Sequence, residues 1–151
     1  MIESNQFSVL PAKGTLTLFP NWNVVDCQLD DSESGELKAG DPVVVVDAAG
    51  SVIKVKKAAA DDKILGCVPY SVKTDKYVAG EMVRVAMDYC CLVMEASAAI
   101  ASGIEVQIDP ATGKVAPQTG TNTVLGDALG KASADGDLIP VMIKVALKES
   151  E

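Results

Sequence analysis

The stretch "AGDPVVVVDAAGSV", residues 39–52, decides the fold. Four consecutive valines, branched at Cβ, favour extended backbone. Pro42 opens the run, and Asp47, Ala48, Ala49 and Gly50 close it with turn chemistry. This is a strand entering a hairpin. A second stretch, "SGIEVQIDPATGKV" at 102–115, has the same order of glycine, β-branched run, turn and valine. Aligning Gly40 with Gly103 sets Val43 against Val106, Val45 against Ile108, Gly50 against Gly113 and Val52 against Val115. Farther on, "KILGCV" at 63–68 matches "TVLGDA" at 123–128, with Gly66 on Gly126. "AGEMVRV" at 79–85 then matches "DGDLIPV" at 135–141, with Gly80 on Gly136. The expectation is two related β-units, 39–87 and 102–147, inside a single β domain over 14–148, preceded by an extended N-terminal arm over 1–13.

The copies differ where it matters. Val44 corresponds to Gln107 and Val46 to Asp109. The second copy alternates as a half-exposed strand does, whereas the first is apolar on both faces, so its outer face needs a cover. Either another segment of this chain or a neighbouring subunit supplies it. Val44 and Val46 are therefore candidates for an intersubunit face.

Outward from these stretches, strand signals dominate, from "GTLTLF" at 14–19 to "IPVMIKVAL" at 139–147, with turn clusters such as "DPATG" and "SADGD" between them. Many short strands at intervals of about 8–12 residues indicate an all-β sandwich or barrel. One short helix is expected near 94–102, where "MEASAAIASG" is alanine-rich and ends in Gly103. "KKAAADD" at 56–62 suggests a further helical turn.

Composition removes several function classes. The chain has 151 residues, a net charge of −8 and 23% charged residues. That balance fits an ordered globular chain and disfavours nucleic acid and anionic membranes, which are bound through Lys and Arg. No apolar run reaches the length of about 18 residues needed to span a bilayer, and "MIESNQFSVL" lacks the pattern of a signal peptide. Histidine is absent, which removes His-based triads and Cys/His zinc sites. The four cysteines, 27, 67, 90 and 91, have no C-x-x-C spacing and read as buried free thiols in a reducing compartment. "GDALGKAS" at 126–133 is one residue short of a phosphate loop and has Ala132 where a magnesium-binding hydroxyl belongs. "DDSESGE" at 30–36 lacks calcium-loop spacing. "VMEASAA" at 93–99 offers no lysine for a biotinyl or lipoyl carrier. No catalytic residue, cofactor site or metal site is expected.

Phe7, Phe19 and Trp22, both phenylalanines and the sole tryptophan, all fall in the first 22 residues. Large aromatics in a terminal segment act as anchors in a partner's pocket or fold back as a plug. Phe7, Val9, Leu10, Phe19 and Trp22 are the candidate contacts with a partner or neighbour.

With "KGTLTL", "LKAGDPVVVVDAAGSV", "ILGCV", "YVAGEMVRVAM", "IASGIEVQIDPATGKV" and "NTVLGDALGKASADGDLIPVMIKVAL" in that order, the chain resembles the tailed-phage capsid decoration, or head-cement, proteins from about Gly14 to Leu147. The stretch 20–37 is longer and more acidic than that pattern. The resemblance implies a compact β-barrel or tulip-like fold and a homotrimer on the outer surface of the expanded head at threefold positions. It also implies that the protein is assembled in the host cytoplasm, clamps the major capsid protein and has no enzymatic activity. The alternative is a β-rich carbohydrate-binding or adaptor module of a phage or cell surface, for which Tyr70, Tyr77 and Tyr89 would be the aromatic platforms.

Overall fold

The computed structural model describes residues 13–14, 23–32, 35–47, 49–59, 62–71, 76–109 and 111–144. Twelve strands run in chain order: β1 (Val24–Leu29), β2 (Leu37–Lys38), β3 (Pro42–Val45), β4 (Lys54–Lys57), β5 (Ile64–Cys67) and β6 (Lys76–Tyr77). They continue with β7 (Met82–Ala86), β8 (Cys91–Glu95), β9 (Glu105–Ile108), β10 (Val115–Pro117), β11 (Val124–Ala128) and β12 (Leu138–Ile143). The fold is all-β, as the spacing of strand and turn signals predicts.

Strands β1-β4-β3-β5-β7 close into a barrel, β10-β9-β11-β12-β8 form a second five-stranded sheet, and β2 pairs β6. Period-two patterning drives this arrangement. In β7, Val83 and Val85 point inward while Met82 and Arg84 are exposed, and in β12 Ile139, Val141 and Ile143 alternate with less buried neighbours.

The two five-stranded sheets correspond pair by pair. Val43 pairs Gly66 and Val44 pairs Ile64, with a bulge between them; Val106 pairs Gly126 and Gln107 pairs Val124, with a bulge at the same step. Cys67 pairs Ala86, and Asp127 pairs Met142. The parallel contact of Leu29 with Val55, which helps to close the barrel, has its counterpart in a single parallel bridge between Ala96 and Val115. Aligned by sequence, Val52 falls on Val115. By strand pairing Val55 takes that place, because Val45 pairs Val55 while Ile108 pairs Val115. The first hairpin loop, 46–54, is longer than the second, 109–114.

Glycine is required at the two bulges. A Cβ on Gly66 would lie 2.1 Å from the Ala86 carbonyl oxygen, and one on Gly126 would lie 2.0 Å from that of Met142. Only a residue without a side chain lets the neighbouring strands approach this closely.

Two cores result. One, inside the closed barrel, holds Cys27, Leu29, Leu37, Val43, Val55, Val68, Val83 and Val85. The other fills the second sheet and extends to Ala58, Ile64, Cys67 and Ala86 of the first, which joins the two sheets through one apolar cluster.

The expected helix near 94–102 is not there. Met94 and Glu95 end β8, Ala96 bridges Val115, and Ile100 bridges Ala132. Met94, Ala96 and Ile100 are buried, and their backbone groups are used between strands, so tertiary pairing overrides alanine's helix preference. The helical turn expected at 56–62 is likewise absent from its described part: Lys56 and Lys57 belong to β4, and the Ala58 N–H donates to the Pro42 carbonyl at 2.9 Å.

Candidate interaction surface

Of the residues singled out in the sequence as contacts, Phe7, Val9, Leu10, Phe19 and Trp22 lie outside the described residues. Val44 and Val46 lie within them. Val44 is half-buried and packs against the core beneath the second sheet, so this chain itself covers part of the outer face of β3. Val46 is also half-buried, and its N–H donates to the Lys54 carbonyl at 2.8 Å at the mouth of the hairpin.

Val46 belongs to the β3–β4 hairpin at one end of the barrel, and the last residues of β1 carry this surface across to β7, Gln28 pairing Lys54 on one side and Met82 on the other. There Val45, Val52, Ile53, Val78 and Met82 are all exposed, Met82 to 58%. Backbone bonds hold this end together. Gln28 N–H donates to the Ile53 carbonyl at 2.9 Å, Leu29 N–H to Glu81 at 2.9 Å, and Gly80 N–H to Leu29 at 2.9 Å. The Gln28 side-chain amide reaches the Gly80 carbonyl at 2.9 Å, and Glu81 accepts from the Val78 N–H at 3.0 Å. Asp47 follows Val46, Glu81 precedes Met82, and Asp30 and Asp31 follow β1. Asp30 accepts from the Ser32 hydroxyl and N–H, chiefly the former, which holds its carboxyl below the ordinary carboxylate range. Lys54 pairs with Asp31 at 3.4 Å, and Arg84, on the same face of β7 as Met82, pairs with Asp26 at 3.5 Å. Sequence reading passed over this surface because Val52, Ile53 and Met82 look like ordinary strand residues. The contrast of Val52 and Ile53 with Thr112 and Gly113 emerges only from strand pairing, because sequence alignment sets Val52 against Val115.

The matching end of the second sheet is different. Its hairpin carries Asp109, whose carboxylate accepts from the Ala111 N–H at 2.9 Å. This bond is the main cause holding the Asp109 carboxyl below its ordinary range. Lys114 bridges Glu95 and Asp135, each at 2.8 Å, and these bonds push its ammonium pKa upward.

A cleft of about 650 Å³ lies between the sheets, lined by Asp41, Lys57 and Tyr70 from the first side and Glu95, Thr112 and Gly113 from the second, among others. Asp41 is its buried member. Its carboxylate accepts from the Lys38 N–H at 2.8 Å and faces Lys57 at 3.5 Å and Lys13 at 3.9 Å. These bonds seat the β2–β3 turn at the first sheet. Tyr77 packs on the barrel core, Tyr70 lies at the cleft and Tyr89 lies in the turn between β7 and β8, so the three tyrosines sit on separate elements. All four cysteines are free, and burial, with a smaller contribution from Asp41, pushes the Cys67 thiol up to about 12. A thiol held protonated in this way is a packing group.

Two β-sheets sharing a core, with an apolar patch at one end, describe a protein built around surface contacts. Residues 32–143 match the family model described as phage cement protein, and the chain belongs to that family. The family is non-catalytic and structural, which places the protein among the structural components of the phage virion, at its surface and in association with capsid components. No curated protein matches the chain. Among solved structures, the fold is similar to the head fiber gp8.5 N base of bacteriophage phi29, with a TM-score of 0.52 and 17% identity over 84% of this chain and 98% of that one. At that identity the likeness concerns the fold.

Proposed function

We propose that the protein binds the outside of the expanded phage head, as a homotrimer at threefold positions, and stabilises the lattice by clamping neighbouring copies of the major capsid protein. The match of residues 32–143 to the phage cement family carries this reading. The exposed apolar end of the barrel supports it, since contiguous apolar surface on a soluble fold marks interaction sites. Val44 and, at its border with the capsid, Val46 contribute to the face between subunits, and Phe7, Val9, Leu10, Phe19 and Trp22 anchor on the capsid or on a neighbouring copy. Assembly takes place in the host cytoplasm. Each contact is modest, and trimerisation multiplies it, typically by about 10²–10⁴-fold when all sites are engaged together.

The test uses DNA-filled heads stripped of this protein. Adding the purified protein back raises the temperature at which the heads release DNA, and sedimentation velocity of the free protein gives a trimer. Release at an unchanged temperature rejects the stabilising role, and a monomer at micromolar concentration rejects the trimer.

A further inference from the structure

We propose that the exposed end of the barrel is the surface that docks on the capsid, against a patch of capsid protein with an apolar centre and a rim of lysine or arginine. This rests on the capsid-binding reading and names the surface and partner chemistry for it.

Two independent observations support the assignment. The first is the contrast between the matching sheets. Where the first carries Val46, the second has Asp109: their N–H groups donate to the carbonyls of Lys54 and Lys114, respectively. Where the first carries Val78, the second has Ala134; Glu81 N–H bonds the Val78 carbonyl at 3.1 Å and Asp137 N–H that of Ala134 at 3.3 Å. Counted back from the paired Val55 and Val115, Val52 and Ile53 stand where Thr112 and Gly113 do. At Val46 and Val78 the matching backbone of the second sheet thus carries a polar or a small residue, so the large apolar side chains there are not a folding requirement. The longer first hairpin adds Val52 and Ile53, both exposed, to the same region.

The second observation is charge. Asp31 pairs with Lys54 beside Ile53, Asp47 follows Val46 and Glu81 precedes Met82, while Arg84, on the same face of β7 as Met82, is paired to Asp26. Two such ends placed together would bring carboxylates against carboxylates, so a second copy meeting this surface with its own is disfavoured. A basic rim around an apolar centre satisfies both features: burial supplies affinity, and the opposite charges orient the encounter.

The experiment is pelleting of wild-type protein and variants with expanded, undecorated heads, alongside sedimentation velocity of each free protein. I53D/M82D puts charge into the patch and is expected to weaken head binding at least about tenfold. L129D, at an exposed site on the second sheet, binds within about twofold of wild type. D47K weakens binding at low salt through the lost rim attraction. If I53D/M82D lowers the melting temperature, V52T/V78A places second-sheet residues in the first and probes the same surface. It is expected to weaken binding severalfold with unchanged melting. Wild-type pelleting matched by I53D/M82D, or by V52T/V78A where the former is unstable, overturns this assignment and leaves the capsid reading intact. Loss in the variant of an oligomer that wild type forms also overturns it and assigns the surface to a second copy. Wild type that fails to pellet overturns the capsid reading and this assignment with it.

Discussion

Val45 and Ile108 hold the same place in two matching sheets, Val45 paired to Val55 and Ile108 to Val115, yet Val45 is 49% exposed and Ile108 only 2%. Local backbone does not explain the difference, because the strand pairings around the two residues correspond. Ile108 shares a cluster with Ala58 of the first sheet, so the joining of the sheets closes the core around it. Val45 has no such cover within the described residues.

The bulge glycines give the sharpest stability test. Gly66→Ala and Gly126→Ala force a methyl onto a backbone carbonyl, and the strands must separate to admit it. Each should cost about 1–3 kcal/mol, read as a lower urea midpoint with an unchanged slope. Gly50→Ala is a control for space, since a Cβ there meets nothing within 4 Å, although its φ of 116° adds some strain.

Asp41 holds the β2–β3 turn through the Lys38 N–H and two lysines. Asp41→Ala leaves the Lys38 N–H without its acceptor, removes the carboxylate that faces both lysines and should destabilise by about 1–3 kcal/mol. Asp41→Asn retains an acceptor and should cost less. Thermal melting of both variants checks the order.

Cys67 sets an alkaline limit. Its thiol titrates at about 12 in the fold against an ordinary value of 9.0, so between these values the folded state retains a proton that the unfolded state loses. Its contribution is complete below about pH 9 and is lost as pH rises toward 12. Cys67→Ala should flatten this part of the stability profile, measured by urea denaturation from pH 8 to 11. Its own packing cost appears equally at every pH.

Trp22→Ala tests the proposed anchors. Full burial of a large apolar side chain is worth about 1.5–3 kcal/mol, so removing it should weaken head binding or trimer association at least about tenfold. Unchanged head affinity and unchanged sedimentation together reject the anchor role of Trp22.

Much of the fold is legible in the sequence because a strand's period is short and local. Val83 and Val85 against Met82 and Arg84 identify a two-faced strand without any tertiary information. The run Val43–Val46 is legible only in part. Val43 enters the barrel core and Val44 the core beneath the second sheet, whereas Val45 and Val46 reach the end of the barrel. Residues 94–102 mislead because alanine favours helices in isolation, while the bridges from Ala96 to Val115 and Ile100 to Ala132 span long separations that composition does not encode. The exposed end is hidden for a related reason: Ile53, Val78 and Met82 are far apart in sequence and meet only when β1 is inserted between β4 and β7.

The central claim is most directly tested by co-sedimentation of the purified protein with undecorated heads of its source phage, expanded and unexpanded, at matched concentration. Saturable pelleting with expanded heads and none with unexpanded ones is expected, since the proposed site is one that lattice expansion creates. Failure to pellet with either form would contradict it.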